Sequence, residues 1–325
     1  MRIRTLPLLG MLVALVLVAC DGEGALLDSG APAEDGGGVL ADAGMPRDAG
    51  SVVDAGSAVD AGSAVDAGST VDAGSAVDSG AVDSGPTGTV SRSAGCGLSQ
   101  AAGFHCMDVM FEGRMRNWCI QIPASYDANH AHELVIGLHG CGGNNMNVHR
   151  HRAPMETDGE GEFLFVYPQA TGSCWDYSST PVEGNDISFI AHMVEQARGM
   201  ACLDTARTFV HGMSSGGSMS PRVVDSGVAI AYGSASAGGA TRGPAPVWFY
   251  AGTTDGYWST ISSQVAAQIR SNGCGEASTP IAGTPCVRYQ GCSEPTVYCE
   301  DDRGHVWPAE EWAQGGILDL FRAVP

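Results

Sequence analysis

Thr208-Phe209-Val210-His211-Gly212-Met213-Ser214-Ser215-Gly216-Gly217 is the stretch on which the reading of this chain turns. An apolar run with the composition of a buried strand meets a glycine. After a serine among small residues, the chain resumes near Ser218 as a helix candidate. A strand that reverses sharply into a helix presses two backbones together, so Gly212 and Gly216 answer a steric need while the Ser214 hydroxyl is thrust outward. The following helix aims the positive end of its dipole at whatever sits beside that serine. A plain Gly/Ser turn is the alternative, and the flanking elements and partners decide between them.

Working outward, short apolar runs alternate with helical periods, the order expected of a mostly parallel sheet with helices on both faces. Strand candidates are residues 117–122, 133–138, 163–167, 208–211, 228–232, 247–251 and 296–299. The clearest helix candidate runs from Ile187 to about Arg198, with Ile187, Ile190, Val194 and Ala197 on one face and Asp186 placed to cap its start. Other helices are expected to begin near Ser218, Trp258 and Ala309.

A serine hydroxyl is a poor nucleophile unless a base takes its proton, and in such sheets the partners follow in the order serine, acid, histidine. Of nine histidines only His305 lies beyond Ser214, in the loop Arg303-Gly304-His305-Val306-Trp307-Pro308. Asp255 follows the apolar run 247–251, where a carboxylate can reach along the C-terminal edge of the sheet to orient the imidazole. Asp301 and Asp302 are the alternative acids, though both sit close to His305 in sequence. An oxyanion needs N–H donors. The Ser215 amide supplies one, and the glycine loop His139-Gly140-Cys141-Gly142-Gly143 offers the Cys141 amide as the second.

The chain has 325 residues and a formal charge of −20, with sixteen arginines and no lysine, a balance that argues against a polyanion such as nucleic acid. Much of the acid lies in residues 21–90, where thirteen carboxylates face Arg47 alone. That Asp/Ala/Gly/Ser-rich segment repeats Asp48, Asp54, Asp60, Asp66, Asp72 and Asp78 six apart and has no aromatic residue. It cannot bury enough apolar surface to offset chain entropy and reads as a disordered linker, with an end-to-end reach of about 45 Å. Calcium-binding solenoid repeats are the alternative, but their glycine-rich nonapeptides are missing. Before it, Arg2 and Arg4 precede an apolar run that ends Leu17-Val18-Ala19-Cys20, a signal peptide resembling a bacterial lipobox, with lipid attachment expected at Cys20.

Cysteines 96, 106, 119, 141, 174, 202, 274, 286, 292 and 299 remain, in a chain bound for an oxidising compartment, so several disulfides are expected. Spacing does not give their connectivity, but Cys274, Cys286, Cys292 and Cys299 crowd together, and bridges there would pin the loop bearing His305. A metal site is the rival reading. There is no C-x-x-C pair, and His130-x-His132 and His149-x-His151 have no further ligands close in sequence, so no metal or organic cofactor is expected.

Taken together, residues 94–325 resemble a family of secreted α/β-hydrolases that includes poly(3-hydroxybutyrate) depolymerases and feruloyl or acetylxylan esterases. The resemblance rests on motifs in order: Ser93-Ala-Gly-Cys-Gly, Leu138-His-Gly-Cys-Gly-Gly, Tyr167-Pro-Gln, Cys174-Trp-Asp, Asn185-Asp-Ile-x-Phe, Gly212-Met-Ser-Ser-Gly-Gly, Ser271-Asn-Gly-Cys and Gly304-His-Val-Trp-Pro. It implies a disulfide-stabilised α/β-hydrolase fold over residues 91–325. It also implies a serine ester hydrolase that works through an acyl-enzyme on an insoluble polymeric ester, with Trp175 and Trp307 near the acyl cleft. Feruloyl or acetyl esters of plant polysaccharide are the leading substrates, polyhydroxybutyrate the second, and a surface binding protein without turnover the reading from another class. The acid segment departs from the pattern: Asp255 is followed by Gly256-Tyr257-Trp258, aromatic bulk that bears on what the acyl pocket accepts.

Overall fold

A computed structural model of the chain describes residues 90–176 and 185–325. The expected signal peptide, Cys20 and the expected linker up to residue 89 lie outside the described residues. The chain order is β1 (Gly103–Phe111), β2 (Arg114–Ile122), β3 (His132–Leu138), α1 (Asn145–Asp158), β4 (Phe163–Pro168), α2 (Asp186–Met200), β5 (Leu203–Met213) and α3 (Ser215–Asp225). There follow β6 (Ala231–Ala235), β7 (Val247–Gly252), α4 (Trp258–Ser271), β8 (Ser278–Pro280), β9 (Cys286–Tyr289), β10 (Thr296–Asp301) and α5 (Glu311–Ala323).

These strands form one sheet in the order β1-β2-β4-β3-β5-β6-β7-β10-β9-β8. Pairing is parallel from β4 through β3, β5, β6 and β7 to β10, and antiparallel at both margins. Strands β4, β6 and β7 are buried along their whole length, as expected of parallel strands covered on both faces. One apolar layer joins the sheet to α2, α3 and α4 through Phe189, Ile190, Met219 and Ile261. The other joins it to α1 and α5 through Met155, Ile317, Leu318 and Phe321.

Differences from the sequence reading have physical causes. Strand β1 was not anticipated: it is a partly exposed margin strand with little apolar alternation, held to β2 by the Cys106–Cys119 bridge between register partners. Helix α1 has no apolar periodicity to announce it, since its buried apolar residues are only Val148 and Met155. The candidate strand 228–232 is displaced: β6 spans Ala231–Ala235, and Gly227 (φ +80°) is still part of the turn leaving α3. Its small residues Gly233, Ser234 and Ala235 hide its strand character; Ser234 is small because α3 lies close, a Cβ on Gly217 falling 2.9 Å from its Oγ, and Gly233 faces α5, where its own Cβ would stand 3.3 Å from Ile317 Cδ1. Strands β8 and β9 form a short hairpin beyond β10 that the sequence reading also lacked.

Asp186 does not cap α2. Asn185 does, accepting from the Ser188 amide, while Asp186 is fully buried inside the first turn. Its Oδ1 accepts from Arg116 Nη2 at 2.7 Å and from the Thr171 amide at 3.1 Å, and its Oδ2 from the Asp176 amide at 2.8 Å. Burial, with a smaller push from the Arg114 charge, pulls the Arg116 guanidinium below its usual value, and the charge and hydrogen bond of Asp186 oppose that shift. The pair ties β2 to α2 and to the segment leading to Cys174. Removing one member of a buried ion pair strands the other, so Asp186→Ala is expected to lower the free energy of unfolding by about 3–5 kcal/mol. Urea denaturation checks this, and an unchanged midpoint would contradict it.

Candidate active site

Strand β5 delivers Ser214 at the central carboxyl edge of the sheet, immediately before α3. Ser214 has φ +53° and ψ −121°, a conformation rare for a residue with a side chain, held by the hydrogen bond its amide N–H donates to Ala235 O at 3.0 Å. The glycines make the turn possible. A Cβ on Gly212 would lie 2.3 Å from the Gly216 carbonyl carbon, and one on Gly216 would lie 2.5 Å from Leu138 O, contacts no side chain survives.

Because β3, β5, β7 and β10 run parallel, the residues that follow them converge on one edge. Asp255 follows β7, is buried, and holds His305 Nδ1 at 2.8 Å through Oδ2 while its Oδ1 accepts from the Tyr257 amide at 2.9 Å. His305 follows β10 and lines, with Ser214, a cleft of about 450 Å³. Asp301 is committed elsewhere: Tyr250 OH donates to its Oδ1 at 2.7 Å and Arg303 Nε to its Oδ2 at 2.9 Å. Burial pushes the Asp301 carboxyl upward, but these donors hold it below the usual carboxylate range. Asp302 contributes its backbone carbonyl, which accepts from Thr254 Oγ1 at 3.0 Å. Of the three acids considered, Asp255 is the one hydrogen-bonded to His305.

The His305 loop is fixed by residues the sequence reading did not single out. Ser236, at φ +45° just past β6, receives the Val306 amide at 3.1 Å on its hydroxyl, which donates to Val306 O at 2.5 Å. Gly252 admits the loop closely, for a Cβ there would lie 2.1 Å from Arg303 O. Neither residue carries a motif, and only the folded backbone reveals them.

The glycine loop after β3 passes close to Ser214: a Cβ on Gly140 would stand 3.5 Å from the Ser214 Cβ. His139 clamps this loop. Its Nε2 accepts from the Ala170 amide at 3.1 Å, so Nδ1 carries the proton and donates to Gly140 O at 2.8 Å. Burial lowers its pKa, keeping the ring neutral. The Gly142 amide donates to Ser173 O and the Gly143 amide to Gly140 O, whereas no backbone acceptor takes the Cys141 amide among the described residues. Cys141 is bridged to Cys174, so its role is structural or through its backbone.

Trp307 lines the cleft, but Trp175 does not. Trp175 is 3% exposed and supports the loop from behind, donating from Nε1 to His139 O at 2.7 Å and from its amide to Ser215 Oγ at 3.0 Å. Tyr257 stands exposed beside the His305 ring at 5.8 Å, while Trp258 packs against the core and reaches Glu300. The remaining bridges are Cys96–Cys202, Cys274–Cys292 and Cys286–Cys299, the last stapling β9 to β10 just ahead of the His305 loop. Of the histidines weighed as metal ligands, His149 stacks on Phe104 and bonds Glu156, and His130 packs edge-on to His132. No group of three or more metal-ligating side chains occurs among the described residues.

The fold is that of an α/β-hydrolase, and comparison with known proteins makes the chain a carboxylic ester hydrolase. No protein-family model matches the chain. Among curated proteins it is 30% identical over 237 residues to a probable feruloyl esterase C of Aspergillus clavatus, covering 66% of this chain and 83% of that protein. It is 27% identical over 209 residues to feruloyl esterase C of Emericella nidulans, covering 58% and 76% of the two chains. Among solved structures, the acetyl xylan esterase from Aspergillus awamori superimposes with a TM-score of 0.54 at 17% identity, covering 67% of this chain and 99% of that one, and shares its fold. The chain belongs to the feruloyl esterase C family of α/β-hydrolases.

The closeness of backbones at Gly216 gives a direct test. Gly216→Ala must push α3 away from Leu138 and with it the Ser214 hydroxyl. The expected result is loss of at least about 2 kcal/mol of stability, in the range of core overpacking, together with loss of labelling by a serine-reactive phosphonate. Wild-type labelling in the variant, read by intact mass, would show the close approach to be dispensable.

Proposed function

We propose that Ser214, His305 and Asp255 carry out the ester hydrolysis through an acyl-enzyme. The contact between His305 Nδ1 and Asp255 Oδ2 at 2.8 Å, beside a cleft shared by Ser214 and His305, is the observation that carries this reading. Asp255 keeps the Nδ1 proton in place and leaves Nε2 free to accept the Ser214 proton as Oγ attacks the ester carbonyl. The Cys141 and Ser215 amides receive the oxyanion, aided by the N-terminus of α3. His305 then returns its proton to the departing alcohol oxygen. A water enters, gives its proton to His305, attacks the acyl carbon, and Ser214 leaves as the hydroxyl with the free acid released. These residues complete each proton transfer without a cofactor.

For substrate, we favour a feruloyl or acetyl ester borne on plant polysaccharide. The names of the relatives support the acyl group, and the exposed Tyr257 and the cleft-lining Trp307 offer aromatic surface on which a hydroxycinnamoyl ring can stack. Purified protein should release ferulate from methyl ferulate, and Ser214→Ala should lower turnover about a millionfold if the three residues act as a unit. Clearing of poly(3-hydroxybutyrate) without ferulate release would replace the substrate reading with a depolymerase. An unlabelled Ser214 after phosphonate treatment would favour a binding protein.

We also propose export and lipidation at Cys20, with residues 21–90 as the spacer to the surface. The Leu17-Val18-Ala19-Cys20 sequence after the apolar run supports it, as do the ten cysteines paired in the described residues. No helix among the described residues is long and apolar enough to cross a membrane. Cys20→Ser should move the protein from the membrane fraction to the medium, and unaltered fractionation would argue against the lipid.

A further inference from the structure

The cleft has a cation that the ester mechanism does not use. Arg152, on α1, lines the same cleft as Ser214 and His305 yet is only 4% exposed. It has no carboxylate partner among the described residues. Its one hydrogen bond is long, from Nη1 to His151 O at 3.4 Å, and its guanidinium lies 3.3 Å from the centroid of the Trp307 ring. The nearest acid along the helix, Glu156, is taken by Tyr167 and by His149. Burial pulls the Arg152 guanidinium well below its usual value, with only Tyr167 acting in the other direction.

The surroundings share this lack of partners. Seven buried side-chain nitrogen and oxygen atoms among the described residues have none, and four of them belong to one contiguous group: Arg152 Nε, His211 Nδ1 and Nε2, and Trp307 Nε1. His211 is fully buried with its ring centroid 5.4 Å from that of Trp307, so the indole lies in contact with both Arg152 and His211. Burial, and the neighbouring Arg152 charge after it, keep His211 neutral. An indole N–H and a guanidinium are donors only, and a neutral imidazole donates from one nitrogen. A desolvated, donor-rich site with an uncompensated positive charge is complementary to an anionic oxygen pair. Aromatic contact alone does not repay the loss of water around a guanidinium.

We infer that Arg152, with Trp307 beside it, forms a carboxylate subsite of the cleft, so that the preferred substrates are esters carrying a second, free carboxylate on the acyl or the alcohol portion. This rests on the reading of the cleft as the ester site and narrows its substrate class. The reacting carbonyl stays at Ser214 while the distant carboxylate settles against the guanidinium, giving orientation as well as affinity.

The test uses two matched pairs of esters. Monomethyl glutarate against dimethyl glutarate places the charge on the acyl side. Acetoxyacetate against its methyl ester places it on the alcohol side. In at least one pair the wild-type protein should favour the charged ester in kcat/KM, chiefly through KM. Arg152→Met should cut that charged ester by about thirtyfold or more, the range for losing one partner of a desolvated charge pair, while the neutral partner changes less than about threefold. Arg152→Lys should recover part of the preference. Because Met fills similar volume without burying a charge, the variant should melt no lower than wild type. Preference for the neutral ester in both pairs, or equal loss on charged and neutral esters with a lowered melting point, would overturn the subsite and make Arg152 a strut for Trp307. Binding of glutarate and of glucuronate to the Ser214→Ala protein, followed by tryptophan fluorescence, is judged separately from turnover. Saturable quenching that Arg152→Met abolishes supports the subsite even if no ester is cleaved, an outcome that would instead remove the hydrolase mechanism; no quenching by either anion counts against the subsite.

Discussion

The near-contact of three backbones at Gly212, Gly216 and Leu138 is the constraint from which the rest of the site follows. With strand β5 and helix α3 meeting at distances that exclude any Cβ, Ser214 is forced to positive φ and its hydroxyl has one way to point. The same crowding explains the small Ser234 of β6 and Gly140 of the loop after β3, which stand against the elbow from different sides. Strain of this kind persists only where the surroundings over-determine it, and here a buried parallel sheet with two apolar layers does so.

Around that elbow, the other groups are placed by loops held from outside. His139 and Trp175 brace the glycine loop from beneath. Ser236 and Gly252 set the path of the loop that presents His305. Asp255 is oriented by the Tyr257 amide as well as by the histidine it holds. The two loops are supported by different strands, so each approaches Ser214 independently.

Much of this was legible in the sequence where chemistry and local pattern coincide. The elbow, the lone histidine downstream of Ser214 and the buried strands β3, β4 and β7 announce themselves through composition and order. The legibility ends where tertiary contact overrides local preference. Strand β6 is built of small residues set by the elements packed on its two faces rather than by strand propensity, α1 is helical with little apolar face, and Asp186 looks like a cap but is an internal counter-ion to Arg116. Trp175 fell within a cleft-associated motif yet braces the loop instead, because indole N–H groups seek an acceptor wherever the fold offers one. Arg152 could not have been found at all, since an arginine among histidines in a polar stretch gives no hint that it will be buried without an acid.

The five disulfides have a distribution with its own consequence. No bridged cysteine lies within strands β3 to β7; the bridges join β1 to β2, the segment before β1 to the residue ahead of β5, the glycine loop to Cys174, and the β8–β9 hairpin region within itself and to β10, the outermost parallel strand. Two of the bridges therefore bear on the reactive edge: Cys141–Cys174 fastens the glycine loop that passes Ser214, and Cys286–Cys299 fastens β9 to β10 just ahead of the loop that carries His305. Reduction would act on those two loops before it touched the apolar layers that hold the sheet.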